Sequence, residues 1–576
     1  MPQAAFAADE IRHFINDALA LWKVPGVAVA VVLNGETLLS EGFGLRNVES
    51  QLPVTPQTLF PIASCTKAFT AMSLGLLVDA GKLAWDKPVK EYLPAFKLHD
   101  PFITERITPR DLITHRSGLP RHDLIWYASD FSRQEILKRL RYLEFSEDLR
   151  VRFQYNNLMF MVAGLVVSEL TGLSWERYTQ ENILNRLGMQ RTNFSTVTTQ
   201  QADDFALPYL ERDGEVKQVP FYKNDGEHDA VGPAGNLISC VEEMAHWLGV
   251  HTSGGFFANE RFISAPNLHE MHKPQMVLED EFGRIHFDFA LSSYGLGWFL
   301  HAYKGQIVAE HGGNLDGFSS LTSVIPQAGL GVVVLCNGNG TALPSVITYT
   351  IYDRLLGLAQ IDWNTRLKPL WDETRSAEKQ GQARTAAARV EVGPSHALAA
   401  YVGDYEHPGY GIISIRQAAD GMEMIINDKL TFPLKHYHYD YFEAYFATFD
   451  MYIMLMFLTD PKGSIHQLSV QMEPAVKDIV FRRLPDKKLQ DPAFLQQFVG
   501  VYEFLQIRLE IQLKEHHLTA TVLGQEERVL VPYQGTEFQL KDFAGFSMEF
   551  KQGEDGGVTE VVIVQPGAAF TAKKIG

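Results

Sequence analysis

Cysteine is scarce: Cys65, Cys240 and Cys336 are the only three in 576 residues. No CxxC or CxxH spacing joins them, so neither a disulfide framework nor a zinc knuckle is indicated, and they read as free thiols. Long apolar runs are missing too. No stretch reaches the about 18 consecutive apolar residues of a membrane-spanning helix, so no span is expected. Positive charge is in the minority, with 51 Lys and Arg against 69 Asp and Glu and a formal charge of -18. That balance favours solubility and argues against nucleic acid or an anionic membrane as partner. The opening "MPQAAFAADE" carries an Ala-Phe-Ala like a signal-peptidase site, without a basic region or apolar stretch before it. The expected location is cytoplasmic, or periplasmic or secreted if a leader has been removed. What remains is an ordinary globular composition, 46% hydrophobic and 21% charged, which excludes disorder.

A chain of this length is too long for one core, and two to four domains are expected. Residues 9 to 22 have helical spacing, and "VPGVAVAVVLNGETLLSEGFG" reads as two strands joined at Asn34-Gly35, a hairpin turn signal. A mainly helical stretch follows to about 250, with Gly172 as a helix stop. From about 290, "YGLGWFL", "GQIVAEHGG", "FSSLTSVIP" and "GVVVLCNG" read as strands. Strands at both ends with helices between predict one layered α/β domain over residues 1–365, its sheet built from distant parts of the chain. Residues 366–394, polar and Ala-rich with helical character, read as a linker. Beyond it the pattern is short, aromatic-rich alternating strands, and it repeats: "YVGDY" at 401–405 matches "FVGVY" at 498–502. Each unit ends on an aromatic-plus-basic strand, "VFRRL" and "AFTAKK". Two tandem all-β barrel domains are predicted, 395–487 and 488–576.

The chemistry-bearing residues begin in "PIASCTKAFTAMSLGLLVDAGKL", residues 61–83. A serine hydroxyl needs a nearby base to act as nucleophile. Ser64 and Lys67, three apart at the head of an apolar helix, share one face, and burial there disfavours the charged lysine. A serine in that position also reads as a plain N-cap. Downstream, "FQYNNLMFMVAG" offers Tyr155 and Asn157, a second hydroxyl and an amide. "AEHGGNLDGFSS" offers His311-Gly312-Gly313 at a strand end, where glycine lets another backbone approach closely.

Ser-x-x-Lys, then Tyr-x-Asn, then Lys/His-x-Gly is an ordered set that resembles the penicillin-recognising serine hydrolases, in their class C β-lactamase and D-aminopeptidase-like branch. "DLITHRSGLP" (111–120) and "GPAGNLISCVEEMAHW" (232–247) add to the resemblance, which covers roughly residues 8–360. It implies an antiparallel sheet flanked by helices plus an all-helical subdomain, with no cofactor and no metal. It implies Ser64 as the acylated nucleophile, Lys67 and Tyr155 as the proton-shuttling pair, and Asn157 as their orienting amide. His311 and Gly313 would line the substrate edge, and the N–H groups of Ser64 and Asn314 would form the oxyanion hole. Which of Lys67 and Tyr155 is the first base stays open. The implied activity is an amide hydrolase of D-aminopeptidase or D-stereospecific type on a small molecule or short peptide. An esterase or acyl transferase, and a penicillin-binding sensor with little turnover, are the alternatives, and homo-oligomerisation is left open.

Two features depart from the common pattern or extend it. His311-Gly312-Gly313 stands where typical β-lactamases have Lys-Thr-Gly, removing the charge and hydroxyl that hold a β-lactam carboxylate. "YVGDYEHPGYGIISI" (401–415) is similar to lipocalin-like domains appended to some relatives, and the expectation is that one barrel leans a loop over the site and limits substrate size. "HYHYDYFEAYF" (436–446) would put His436, His438 and Asp440 on one side of a strand, but along-strand spacing is poor for a single metal ion. No metal is expected there.

Overall fold

The computed structural model describes residues 8–575 except 213, 227–228, 280–288, 388, 447–450, 544 and 555. Helix α1 (Ala8–Trp22) leads into β1 (Gly26–Leu33) and β2 (Glu36–Asn47). Asn34 and Gly35 both take positive φ, +53° and +84°, which suits a two-residue hairpin whose strands twist together. Helix α2 (Thr66–Asp79) and α3 (Asn157–Thr171) form the centre of a helical region. Gly172 ends α3 in the left-handed conformation, φ +72°. Helix α4 (Val241–Thr252) returns the chain to the sheet. Then come β3 (Phe289–Tyr294), β4 (Phe299–Tyr303), β5 (Gln306–Leu315), β6 (Phe318–Ile325) and β7 (Leu330–Cys336). Helices α5 (Leu343–Leu355) and α6 (Trp363–Ala387) follow.

The nine-stranded sheet places β1 beside β7, from Val27 opposite Cys336 to Leu33 opposite Leu330. Its first and last strands in the chain are thus neighbours. The run "GVAVAVVL" shows no polar alternation because both faces of β1 are covered. Ala28, Ala30 and Val32 pack toward α2, α3 and α4, whereas Val27, Val29 and Val31 pack toward α1 and α5.

The stretch from 366 is less of a linker than its polarity suggests. Residues 366–387 continue α6, where buried Trp363 and the half-buried Leu367 and Trp371 pack against the same core as α1. Trp22 Nε1 donates to Asn364 Oδ1 at 2.8 Å, and Arg375 pairs with Glu211. Tryptophans about two helical turns apart give one side of a polar helix enough apolar surface to dock.

Two closed eight-stranded barrels follow, one spanning Gly403–Arg483 and the other Gly500–Lys574. The repeat in sequence is a repeat in bonding. Tyr405 OH donates to Tyr401 O and Tyr502 OH donates to Phe498 O, both at 2.8 Å and fully buried. Each barrel closes by pairing that tyrosine with the terminal basic residue, Tyr405 with Arg483 and Tyr502 with Lys574. The cation lies over the ring, at 5.9 Å and 5.8 Å, so the closing strand needs its aromatic-plus-basic pattern. The first barrel shares a continuous apolar core with the helical region, whereas the second has a core of its own. "HYHYDYFEAYF" is a hairpin, not one strand. Strand Leu430–His438 turns at Tyr439, φ +46°, into Tyr441–Phe446. Asp440 in the turn accepts from Ser395 and Tyr401. Among the described residues no cluster of His, Cys, Asp or Glu is placed to hold a metal.

The "DLITHRSGLP" segment is pinned by an ion cluster. Fully buried Asp111 accepts from Arg116 Nε at 2.7 Å, Arg150 Nη2 at 2.8 Å and Thr108 Oγ1 at 2.8 Å. Burial alone would raise its pKa, but Arg150, Arg116 and Thr108 outweigh it and hold the group below the ordinary carboxylate value. Asp111→Asn should destabilise the fold by about 3 kcal/mol, because two arginines lose their buried counter-charge. This contribution is complete above the unfolded carboxylate pKa of about 3.9 and is lost as pH falls through the depressed native value. Denaturant titrations should therefore separate variant from wild type at neutral pH and bring them together in acid.

Candidate active site

Ser64 sits in a 3-10 turn, Ala63–Cys65, immediately ahead of α2. Ala63 has φ +47°, a conformation unfavourable for a residue with a Cβ. This bend lifts Ser64 into a cleft of about 500 Å³ while Lys67, one turn on, is wholly buried. Lys67 Nζ lies 3.0 Å from Ser64 Oγ, 2.8 Å from Asn157 Oδ1 and 2.9 Å from Ala234 O. Burial first, then the charge of Arg121, pushes the Lys67 pKa well below its ordinary value, against a weaker opposing pull from Asp123.

Tyr155 precedes α3 and points its hydroxyl at Ser64 Oγ, 2.8 Å away. Burial pushes its pKa up, so the phenol keeps its proton. Asn156 caps α3 by accepting from the Met159 N–H at 2.9 Å, which starts the helix where Asn157 faces α2. Asn157 Nδ2 donates to Asp123 Oδ1 at 3.0 Å. A carboxylate can only accept, so this bond fixes the amide with its oxygen toward Lys67.

Strand β5 forms the opposite wall. Leu315 pairs with Phe318 around the two-residue turn Asp316-Gly317, which makes Asn314–Ser319 the next, non-bonded pair of the ladder. The Asn314 N–H therefore points away from β6, on a side where β4 has already ended at Glu310. Gly313 lies so close to the Ser64 turn that an added Cβ would stand 2.3 Å from Ile62 O and 3.0 Å from Ser64 N. His311 is 1% exposed. Its Nδ1 donates to Gly312 O at 2.7 Å, leaving Nε2 to accept from Tyr294 OH at 2.9 Å. Burial and the nearby Lys67 lower its pKa to about 3, so it is neutral. Cys65, next to Ser64, is a buried thiol donating to His311 O at 3.0 Å.

Ser64, Lys67, Tyr155, Asn157, His311, Gly313 and Asn314 are thus gathered at one place. Four further groups were not singled out by sequence reasoning. His115, φ +55° and buried, stacks on Tyr155 with ring centres 4.2 Å apart. Arg121 lines the cleft and lies over the Tyr155 ring at 5.0 Å. Asp123 orients Asn157, and the Ala234 carbonyl meets Lys67. His115 and Ala234 fall inside the two extra segments quoted for the resemblance. The aromatic stretch after His122 borders a different space. At the Asp316-Gly317 turn a second cavity, of about 560 Å³, is lined by Tyr127, Phe221, Tyr222, Asp316 and, from the first barrel, Lys429 and Leu430. Among the described residues, none of those lining the Ser64 cleft itself comes from a barrel.

The sequence pattern of the family described as Beta-lactamase matches residues 13–353, and that of the Domain of unknown function (DUF3471) matches residues 387–483, the span of the first barrel. The chain is 29% identical over 539 residues to Unguisins hydrolase ungD' of Aspergillus campestris, covering 86% of this chain and 94% of the relative. It is 25% identical over 344 residues to Protein flp of Staphylococcus aureus, covering 59% of this chain and 65% of the relative. Among solved structures, the octameric penicillin-binding protein homologue from Pyrococcus abyssi superposes with a TM-score of 0.55 at 23% identity. That alignment covers 83% of this chain and 100% of the other, and the likeness is one of fold.

Proposed function

The chain belongs to the beta-lactamase family of serine hydrolases, and from that premise we propose that it cleaves an amide bond in short peptides or small amides through a Ser64 acyl-enzyme. The observation that carries this reading is the buried Lys67, its pKa pushed well below the ordinary lysine value, within hydrogen-bond reach of a serine that also receives a tyrosine hydroxyl. In the reaction Lys67 Nζ takes the Ser64 proton as Oγ attacks the carbonyl carbon. Negative charge on the carbonyl oxygen is met by the Ser64 and Asn314 N–H groups. When the tetrahedral species collapses, the leaving amine takes its proton through the Tyr155 hydroxyl, which Lys67 replenishes. Water then repeats the path in reverse and frees the acid.

The edge opposite Ser64 supports a substrate other than a β-lactam. His311 is neutral and Gly312 has no hydroxyl, so the charge and the donor that would hold a β-lactam carboxylate are both missing there. The finer reading, D-aminopeptidase or D-stereospecific hydrolase, rests on the family resemblance. The name of the Aspergillus relative, which matches 86% of this chain, favours hydrolysis over stalled acylation.

Turnover by wild type and Ser64→Ala on D- and L-alanyl anilides, short D-containing peptides, aryl esters and a chromogenic cephalosporin tests the proposal. Ser64-dependent cleavage of anilides or peptides, with D above L and the cephalosporin slowest, is expected. Activity confined to esters would make it an esterase, and a lasting adduct without turnover would make it a sensor.

A further inference from the structure

His122 is fully buried at φ +47°, a backbone conformation that a histidine keeps only where its neighbours impose it. Two of the three bonds made by its N–H and ring come from the first barrel. Its N–H donates to Glu473 Oε2 at 2.7 Å. On the ring, Nε2 faces Glu144 O at 2.9 Å and must carry the proton, so Nδ1 accepts from Tyr410 OH at 2.7 Å. Tyr410 belongs to the "YEHPGYG" loop. Glu473 is itself 7% exposed and also accepts from the Ala475 N–H at 3.2 Å. Around these bonds Asn427 and Lys429 of the same barrel donate to Ala128 O and Ser129 O.

The residues on either side of His122 reach the reacting groups. Arg121 Nε donates to Asp123 Oδ2 at 2.6 Å, and the guanidinium lies across the Tyr155 ring. Asp123 Oδ1 accepts from Asn157 Nδ2 at 3.0 Å and from Trp126 Nε1 at 2.7 Å. Asn157 Oδ1 in turn accepts from Lys67. Hydrogen bonds from the barrel to His122, the backbone that joins His122 to its two neighbours, and the hydrogen bonds of those neighbours thus connect the barrel to the base.

We infer that the first barrel is a working part of the catalytic centre: Glu473 and Tyr410 are positioning residues that clamp His122 and so set Arg121 and Asp123 against Tyr155 and Asn157. This assigns a role to the domain of unknown function that differs from a lid. Its carboxylate is spent on a backbone N–H rather than offered to substrate.

The inference rests on the proposed role of neutral Lys67, and it has a consequence that mere scaffolding lacks. The charged and titratable groups around Lys67 are Arg121, Asp123, Tyr155, His115, His311 and Cys65. After burial, Arg121 does most to lower the Lys67 pKa, and Asp123 opposes it more weakly. Loosening the clamp lets Arg121 drift away, so Lys67 holds its proton to higher pH and the acid limb of the kcat/KM profile moves up.

The test uses the full chain with Tyr410→Phe, Glu473→Gln, Glu473→Leu and Arg121→Gln. Glu473→Leu and Tyr410→Phe should lower kcat/KM by about 10- to 100-fold, the cost of misplacing a site by a fraction of an ångström. Glu473→Gln, whose amide oxygen still accepts from His122, should recover most of the loss. The acid limb should move up in both damaging variants, as in Arg121→Gln. If Glu473→Leu does not fold, Tyr410→Phe, which loses one hydroxyl, carries the test. Barrel variants that melt lower yet keep wild-type kcat, KM and acid limb would overturn the inference. Activity surviving Ser64→Ala would instead overturn the proposed function, so the two failures are distinct.

Discussion

Lys67→Arg lowers kcat/KM by about 10²- to 10⁴-fold on every substrate the wild type turns over, the range expected when a positioned base is lost. Arginine keeps a long cationic side chain but cannot give up its proton at working pH. The expectation follows from proton bookkeeping around Nζ. Asn157 Oδ1 and Ala234 O can only accept, and together they use both protons of an uncharged amine. Its lone pair is left for the Ser64 hydroxyl at 3.0 Å. Tyr155, with its pKa raised by burial, donates to Ser64 and is a poor first base. Single-turnover acylation measured across pH checks this. The wild-type rate should rise with pH as Lys67 loses its proton, and a Lys67→Arg variant retaining a tenth of the rate would show that the base is elsewhere.

The meeting of Ser64, Lys67, Tyr155 and Asn157 was legible in the sequence because one helical turn brings the first two together and the ordered motifs point to the others. Local signals also carried the hairpin at Asn34-Gly35, the helix stop at Gly172 and the repeat of Tyr405 at Tyr502. What escaped the reading depends on contacts between residues far apart in the chain. His122 is met by Glu473 and Tyr410, 351 and 288 residues away, and nothing in "GLPRHDLIW" announces either. The run from His436 to Phe446 alternates like one strand, yet Tyr439 turns it, because Asp440 finds Ser395 and Tyr401 across the barrel end. The polarity of 366–394 hid a docked helix for the same reason: Trp363 and Trp371 have a receiving surface only once α1 is in place.

Neutrality of His311 was foreseeable only in part. An exposed histidine would titrate near pH 6.5, and the sequence gives no measure of burial at a strand end. The fold supplies it by closing Tyr294, Phe299 and Tyr155 around the ring, and Lys67 adds a reason for it not to accept a proton. A pH profile of this enzyme should therefore show no limb from His311 between pH 5 and 8.

Gly313→Ala should cost about 10²- to 10³-fold in kcat, as loss of an oxyanion donor does in other hydrolases. A methyl there would stand 2.3 Å from Ile62 O and 2.4 Å from Ser320 Oγ, inside contact distance of both walls. Ser320 can rotate, but the Ile62 carbonyl belongs to the backbone that carries the Ser64 turn, so β5 must retreat from it. The two N–H groups proposed to face the developing oxyanion, one on each side of this contact, then separate. One residue earlier the physics differs: a Cβ on Gly312 would meet nothing nearer than Ser320 O at 3.7 Å, an ordinary contact. Gly312→Ala should consequently lose far less. The decisive measurement compares kcat and KM for the two variants, with circular dichroism to confirm that both are folded. A Gly313→Ala enzyme with wild-type kcat would mean that β5 and the Ser64 turn can part without loss, and the oxyanion would have to be held by other donors.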